Sequence, residues 1–356
     1  MCRWLAFLAD GEENGVLLSD LMFNSENGLT QQSFHAGFTP SFSCENNAKL
    51  NADGYGLGWF HAFGPRPSVF KSKSPLWNDQ NALEIARSIK TRCAFGHVRA
   101  ASPGSIIGET NCHPFKYGTL MFQHNGHIEG FSRIRHRMVT RMKEFAFHNV
   151  FGTTDTEHLF ALVLSNLADA DKLLFTADEL QSALVETFKQ VMQMLHEANI
   201  VCGYTTLNVA LTDGHTMVVT RFCDKNPTVQ APSLYYAVED VNSFRRLLVG
   251  SSNPNAGDGS PAAAAHAASG GARRLHERSI STLDRDIVVR EGSPVHGQKV
   301  QPVTKSSCFV VASEPLVFCG SWVAVPCNTM IVFEKGVELR TARIAADGCC
   351  SGVGPA

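Results

Sequence analysis

The chain has 356 residues, 44% of them hydrophobic and 18% charged, which is enough for a large core in one big domain or two modest ones. Thirty-one Lys and Arg against 33 Asp and Glu leave a net charge of −2, so no single-sign field points to nucleic acid or a membrane surface as partner. Eleven scattered cysteines with no C-x-x-C give no support to a zinc ribbon or a thioredoxin motif, and read as mostly reduced, buried thiols.

The N-terminus reads MCRWLAFLADGEENG, a short apolar run soon followed by Asp10, Glu12 and Glu13. A secretory signal needs a longer apolar region and a small-residue cleavage site, and no later run is long enough to span a bilayer. A cytoplasmic protein is expected. Runs rich in β-branched and aromatic residues predict strands over 4–8, 56–60, 93–100 and 120–124, with helices over 82–90 and 131–147. Thr154 followed by Glu157 starts a helix through Leu167. Thr176 followed by Glu179 starts another, in which Leu180, Leu184, Phe188, Val191 and Leu195 recur at helical spacing over 178–198.

Two further strands are expected over 206–211 and 216–222. From about 250 to 306 the texture turns to Ala, Gly, Ser, Asn and Pro, which cannot bury enough surface to offset its ordering entropy; a disordered insertion is expected there. Apolar runs at 307–313, 322–325, 330–334 and 337–343 are too few to form a domain and are expected to complete the earlier sheets, making 2–356 a single domain. Strands, then helices, then strands again, without regular βαβ alternation, predict an α+β fold.

Cys2 follows the initiator Met. Removal of Met1 would leave a thiol and a free α-amine on one residue. An α-amine titrates near 7.7–8.0, so it can accept the thiol proton, and one residue then supplies both nucleophile and base. In CAFGHVRAA (93–101), alternation on a strand puts His97 and Arg99 on one face. A buried guanidinium there needs an anion, either a substrate carboxylate or an internal Asp or Glu. In FQHNGHI (122–128), Asn125–Gly126 reads as a hairpin turn or as an oxyanion hole, with the Asn125 amide and the Gly126 N–H as donors. In TTDTE (153–157), Asp155 either complements a helix dipole or receives a substrate ammonium.

Taken in order, these segments resemble class II glutamine amidotransferases. That resemblance implies a mature chain beginning at the catalytic Cys2, with Arg99 on the substrate α-carboxylate, Asn125 and Gly126 at the oxyanion, and Asp155 on the α-amine. MCRWLAFL, DGYGLGWF, SPLWND, FGHVRAAS, ETNCHPFKYG, FQHNGHIEGF, GTTDTEHLFAL and VVASEPL are closer to the small-chain branch of γ-glutamyl hydrolases and the fungal glutathione-degrading subunit. The fold it implies is the four-layer αββα sandwich of N-terminal-nucleophile hydrolases.

The expected activity is hydrolysis of a γ-glutamyl amide such as glutathione, with a metallopeptidase-type or other protein partner possible by the same resemblance. The alternatives are a glutaminase subunit feeding a separate synthase, and a non-catalytic binding protein on the same fold. No ligand-set motif such as H-E-x-x-H and no phosphate-binding loop is present, so neither metal nor cofactor is expected. Neighbours on an extended segment point apart, so Cys112 and His113 are not expected to pair, and Asn111–His113 is expected to support the site or pack. Trp77–Asp79 is either a pocket wall, by the resemblance, or a surface turn.

Overall fold

RWLAFLA at the start of the chain is apolar at every position after Arg3, and such a short continuous run suits a strand buried on both faces. Trp4, Ala6 and Leu8 enter one core, and Leu5, Phe7 and Ala9 enter another. This strand lies at the centre of the protein. The computed structural model describes residues 2–11, 15–35, 50–102, 105–250, 306–337, 339–345 and 350–355. The segment expected to be a disordered insertion lies almost wholly outside the described residues.

In chain order the strands are β1 (Arg3–Ala9), β2 (Val16–Leu17), β3 (Tyr55–Trp59), β4 (Ser68–Ser72), β5 (Lys90–Thr91), β6 (Cys93–Val98), β7 (Phe115–Tyr117) and β8 (Leu120–His127). They continue as β9 (Thr206–Thr212), β10 (Thr216–Arg221), β11 (Tyr235–Asp240), β12 (Ser307–Ala312), β13 (Val323–Ala324), β14 (Thr329–Glu334), β15 (Arg340–Ile344) and β16 (Cys350–Pro355). The α-helices are α1 (Leu29–Phe34), α2 (Gln80–Ser88), α3 (Phe131–Thr140), α4 (Glu144–His148), α5 (Asp155–Asn166), α6 (Ala177–Glu197) and α7 (Val241–Gly250).

One seven-stranded sheet runs β13-β11-β12-β1-β6-β3-β4, and a second runs β16-β15-β14-β10-β9-β8-β7. Three cores define the layers. One joins the outer face of the first sheet to α1, α2 and α7 through Leu5, Phe7, Leu29, Ala82 and Phe244. Another lies between the sheets, with Trp4, Phe95, Met121 and Phe309. The third joins the second sheet to α3–α6 through Phe122, Phe160, Leu184 and Phe188. The result is the four-layer αββα sandwich, an α+β fold.

The capping box expected at α6 is complete: Thr176 Oγ1 accepts from Glu179 N–H, and the Glu179 carboxylate accepts from Thr176 N–H. The helix expected over 131–147 is broken in two. Lys143 turns to an extended conformation because its N–H donates to Ser165 Oγ (2.9 Å) and its Nζ to the Leu167 carbonyl (2.7 Å), both at the end of α5. The strand expected from 337 begins at Arg340 instead. Val337 N–H closes a turn onto the Glu334 carbonyl, with Gly336 at φ +76°.

Candidate functional site

Cys2 precedes β1, and its register continues the β1–β6 ladder, in which Arg3 pairs with Val98. Its Sγ lies 3.4 Å from the Ala100 nitrogen, accepting that N–H, and 3.6 Å from the Ala100 carbonyl. The next residue back on that ladder side is Arg99, 4% exposed. Its Nη1 donates to the Ile106 carbonyl (3.1 Å) and its Nη2 to Ser105 Oγ (2.6 Å). Among the described residues no carboxylate pairs with Arg99, so the internal ion pair is not what the structure contains. The two bonds hold the guanidinium while leaving N–H groups free for an anion. The backbone under it is held by Asp53 and Gly54: Arg99 N–H donates to the Gly54 carbonyl, and Asp53 Oδ2 accepts from Ala101 N–H at 2.8 Å.

The other half of the site lies on the second sheet. Asn125 is 1% exposed, and its Nδ2 has no partner. A buried amide donor left unpaired costs about 1–3 kcal/mol, so the fold tolerates a deficit at this atom. Gly126 follows at φ +156°, and a Cβ there would lie 2.0 Å from the Thr206 carbonyl oxygen; only glycine fits. The pair is not a hairpin turn, since β8 runs through both residues opposite Asn208 and Leu207. Asp155 opens α5 under the Thr154 cap. Its Oδ2 accepts from Ile128 N–H (2.9 Å) and its Oδ1 from Thr156 N–H (2.8 Å). It therefore ties the helix start to the exit of β8, beyond simple dipole complementation.

Register brings the halves to one end of the sandwich. Gln123 Nε2 on β8 crosses between the sheets to the Leu5 carbonyl (2.8 Å), and His97 Nε2 on β6 donates to the His124 carbonyl (3.2 Å). Two residues further along β8, on the same face as Gln123, Asn125 reaches the end occupied by Arg99 and Cys2. Asn111 links the two halves. Its Nδ2 donates to the same Ile106 carbonyl that Arg99 uses (2.9 Å) and to Thr153 Oγ1 (3.1 Å), and its Oδ1 accepts from Thr153 N–H (2.8 Å). The loop that holds Arg99 is thereby fastened to the turn that presents Asp155. A spacing of 42 residues hides this link from sequence patterns; the sequence marks Asn111–His113 as a supporting or packing segment without showing what Asn111 bonds.

Three buried histidines lie behind the site. His124 Nε2 faces the Thr206 carbonyl (2.9 Å), which can only accept, so Nε2 carries the proton and Nδ1 accepts from Thr156 Oγ1 (2.9 Å). Burial holds His97 down to about 3, against its bond to the His124 carbonyl, with the Arg99 charge adding to the depression. Burial likewise depresses His113 and His124. An unfolded histidine titrates near 6.5, so on acidification the unfolded chain takes up protons that the folded one refuses. Stability is thus full above about pH 6.5 and falls as pH drops toward the folded values, by up to about 1.4 kcal/mol per pH unit for each histidine. Urea unfolding at pH 7.5 and 5.5 is expected to show a clearly lower midpoint at 5.5. Equal midpoints would contradict three buried neutral imidazoles.

Cys112 and His113 do not pair. Cys112 Sγ donates to the Ser72 and Gly108 carbonyls (3.5 Å each), burial pushes its thiol up to about 11, and the His113 ring packs against His97 and Phe115. Burial also pushes Cys93 up to about 12. Asp79 caps α2 through Ala82 N–H and accepts from the Tyr55 hydroxyl (2.7 Å), so its part of the 77–79 segment is a helix start. A cleft of about 540 Å³ opens at the other end of the sandwich, lined by Asp10, Arg92, Asp213 and Lys335, and includes none of the residues described above at the Cys2 end.

The family model for class-II glutamine amidotransferases matches residues 18–234, which include Arg99, Asn125, Gly126 and Asp155 and begin after Cys2. The chain is 29% identical over 352 residues to the Saccharomyces cerevisiae protein named probable glutamine amidotransferase DUG3, covering 94% of this chain and 82% of that one. It is 30% identical over 129 residues to the gamma-glutamyl-hercynylcysteine sulfoxide hydrolase of Mycolicibacterium smegmatis; that match covers 36% of this chain and about half (52%) of that protein. A solved structure, a glutamine aminotransferase class-II domain protein from Silicibacter pomeroyi, superposes with a TM-score of 0.55 at 19% identity, covering 97% of this chain and 99% of that one.

Proposed function

The chain belongs to the class-II glutamine amidotransferase family, and from that premise we propose that it cleaves a γ-glutamyl amide through a thioester on Cys2. The observation that carries the reading is the buried, unpartnered Asn125 Nδ2 beside Gly126, at the sandwich end that also holds Cys2 and Arg99. In this reading Arg99 receives the α-carboxylate of the glutamyl group, and Asp155, already anchored to β8, receives its ammonium. The α-amine freed by removal of Met1 takes the Sγ proton, and the thiolate attacks the δ-carbonyl carbon. Asn125 Nδ2–H and Gly126 N–H donate to the resulting oxyanion. As the tetrahedral adduct collapses, the C–N bond breaks and the α-ammonium returns its proton to the departing amine. Water, deprotonated by the same α-amine, then cleaves the thioester, releasing glutamate and restoring the thiol.

One relative is named for hydrolysing a γ-glutamyl derivative of a modified cysteine. Glutathione offers the same γ-glutamyl-cysteine linkage and is the favoured substrate. The competing reading, ammonia release from glutamine for a separate synthase, draws on the relative named as an amidotransferase. Side-by-side kcat/KM values for glutathione, other γ-glutamyl peptides and glutamine decide between them. Glutathione or a γ-glutamyl peptide is expected to lead by at least about tenfold, which corresponds to roughly 1.4 kcal/mol of differential transition-state binding. Glutamine in the lead, with ammonia captured by an added synthase, would overturn the preference.

A further inference from the structure

Arg3 and Glu314 are both 1% exposed and meet through Nε and Oε1 at 3.1 Å. Replacing a buried ion pair by apolar groups is often neutral or stabilising, so stability alone gives little reason for this one. Its geometry gives another. The Arg3 Nη1 donates to the carbonyl of Cys2 at 3.0 Å. The corner that presents Glu314 is itself locked onto β1: Ser313 Oγ accepts from Trp4 N–H (3.0 Å), and Ser313 N–H donates to the Trp4 carbonyl (2.9 Å). Behind it, Gln32 Nε2 donates to the Glu314 carbonyl (3.2 Å) and Asn27 Nδ2 to the Pro315 carbonyl (2.8 Å).

A terminal residue is the part of a strand most prone to fray. Among the described residues, the Cys2 side chain is otherwise held by two long sulfur contacts to Ala100. If both nucleophile and base hang from its Cα, fixing its carbonyl fixes the direction of each. Among the described residues, the charged or titratable groups around Cys2 are Arg3 from its own strand, Glu314 from beyond β12, Arg99 and the Asp53 carboxylate on the Ala101 amide from the β6 side, and the Cys112 thiol, kept neutral by burial.

We propose that Arg3 and Glu314 form a positioning pair, in which Arg3 clamps the Cys2 carbonyl and Glu314 cancels the guanidinium charge beside the Cys2 α-amine. The proposal rests on Cys2 being the nucleophile. It makes the Ser313–Glu314 corner, more than 300 residues along the chain, part of the machinery of the N-terminus.

Three variants test it, each confirmed as folded by its unfolding curve. Glu314→Gln removes the carboxylate that faces the Arg3 guanidinium, so the acidic limb of the kcat/KM–pH profile is expected to move down by about one pH unit. Arg3→Gln removes the cation and keeps the Glu314 carboxylate, and the limb is expected to move up. The double variant is expected to bring the limb back near its original position, while kcat stays roughly ten- to a hundredfold low because the carbonyl clamp is gone. A merely structural pair would lower activity without opposite movements of the limb, and coincident limbs in the two single variants would overturn the proposal. Should the single variants fail to fold, the double variant, which removes both charges together, remains. Alkylation of its Cys2 by a γ-glutamyl diazoketone is then expected to slow about tenfold, and an unchanged rate would overturn the proposal. Full activity in Cys2→Ala would instead show that the nucleophile assignment itself fails.

Discussion

Replacing Cys2 with alanine is expected to lower γ-glutamyl amide hydrolysis by at least about four orders of magnitude, because loss of the nucleophile removes the covalent route and leaves only binding and oxyanion stabilisation. The fold is expected to persist. Cys2 is half-exposed, lies before the first ladder pair of β1 and contacts the chain through Ala100, so alanine forfeits two weak sulfur contacts. Rates with glutathione and glutamine, together with the unfolding midpoint, check both halves of the expectation. Full activity in this variant would end the thioester mechanism. A chain that keeps Met1 is expected to be as inactive as Cys2→Ala while retaining its thiol, since the amine would be an amide; intact mass distinguishes the two forms. The internal thiols are poor substitutes: burial holds Cys93 and Cys112 well above the range in which a thiolate forms near neutrality.

Asn125→Ala is expected to separate activity from stability. The amide nitrogen Nδ2 is buried without a partner, so deleting it removes an unsatisfied donor, and the unfolding midpoint is expected to hold or rise. Loss of one oxyanion donor typically costs about 2.7–4 kcal/mol of transition-state stabilisation, so kcat is expected to fall about 100- to 1,000-fold. KM should change much less, because the bond is made chiefly in the transition state. Steady-state kinetics and urea unfolding on one preparation supply both numbers. A large drop in stability with little change in kcat would assign Asn125 to the scaffold and remove the oxyanion hole from the mechanism.

The elements most legible in the sequence were those whose periodicity is local. α6 repeats apolar residues at helical spacing and carries its own capping box, and it forms almost where the pattern places it. β1, β6, β8, β9 and β10 are continuous or alternating apolar runs and form as strands. Two of the missed elements lack such a signal. β4 is five half-buried residues at the edge of its sheet, and β7 is three residues long. The false continuity over 131–147 arose because nothing local shows that Lys143 will bond the end of α5.

The chain's own order of residues determined the chemical vocabulary: a cysteine at position 2, an arginine on an apolar strand sharing a face with His97, an Asn-Gly pair ending an apolar run, and an aspartate in the first turn of a helix. Those are facts of composition and short-range geometry, where neighbours in sequence are neighbours in space. Only the tertiary structure decided that Asn125–Gly126 lies within a strand rather than a turn, that Asn111 fastens the Arg99 loop to the Asp155 turn, and that Glu314 meets Arg3 beside Cys2. Each depends on which strands pair and which sheets face, and that is set by burying three cores at once. Hydrogen bonds between residues dozens or hundreds of positions apart follow from that packing and leave no periodic trace along the chain.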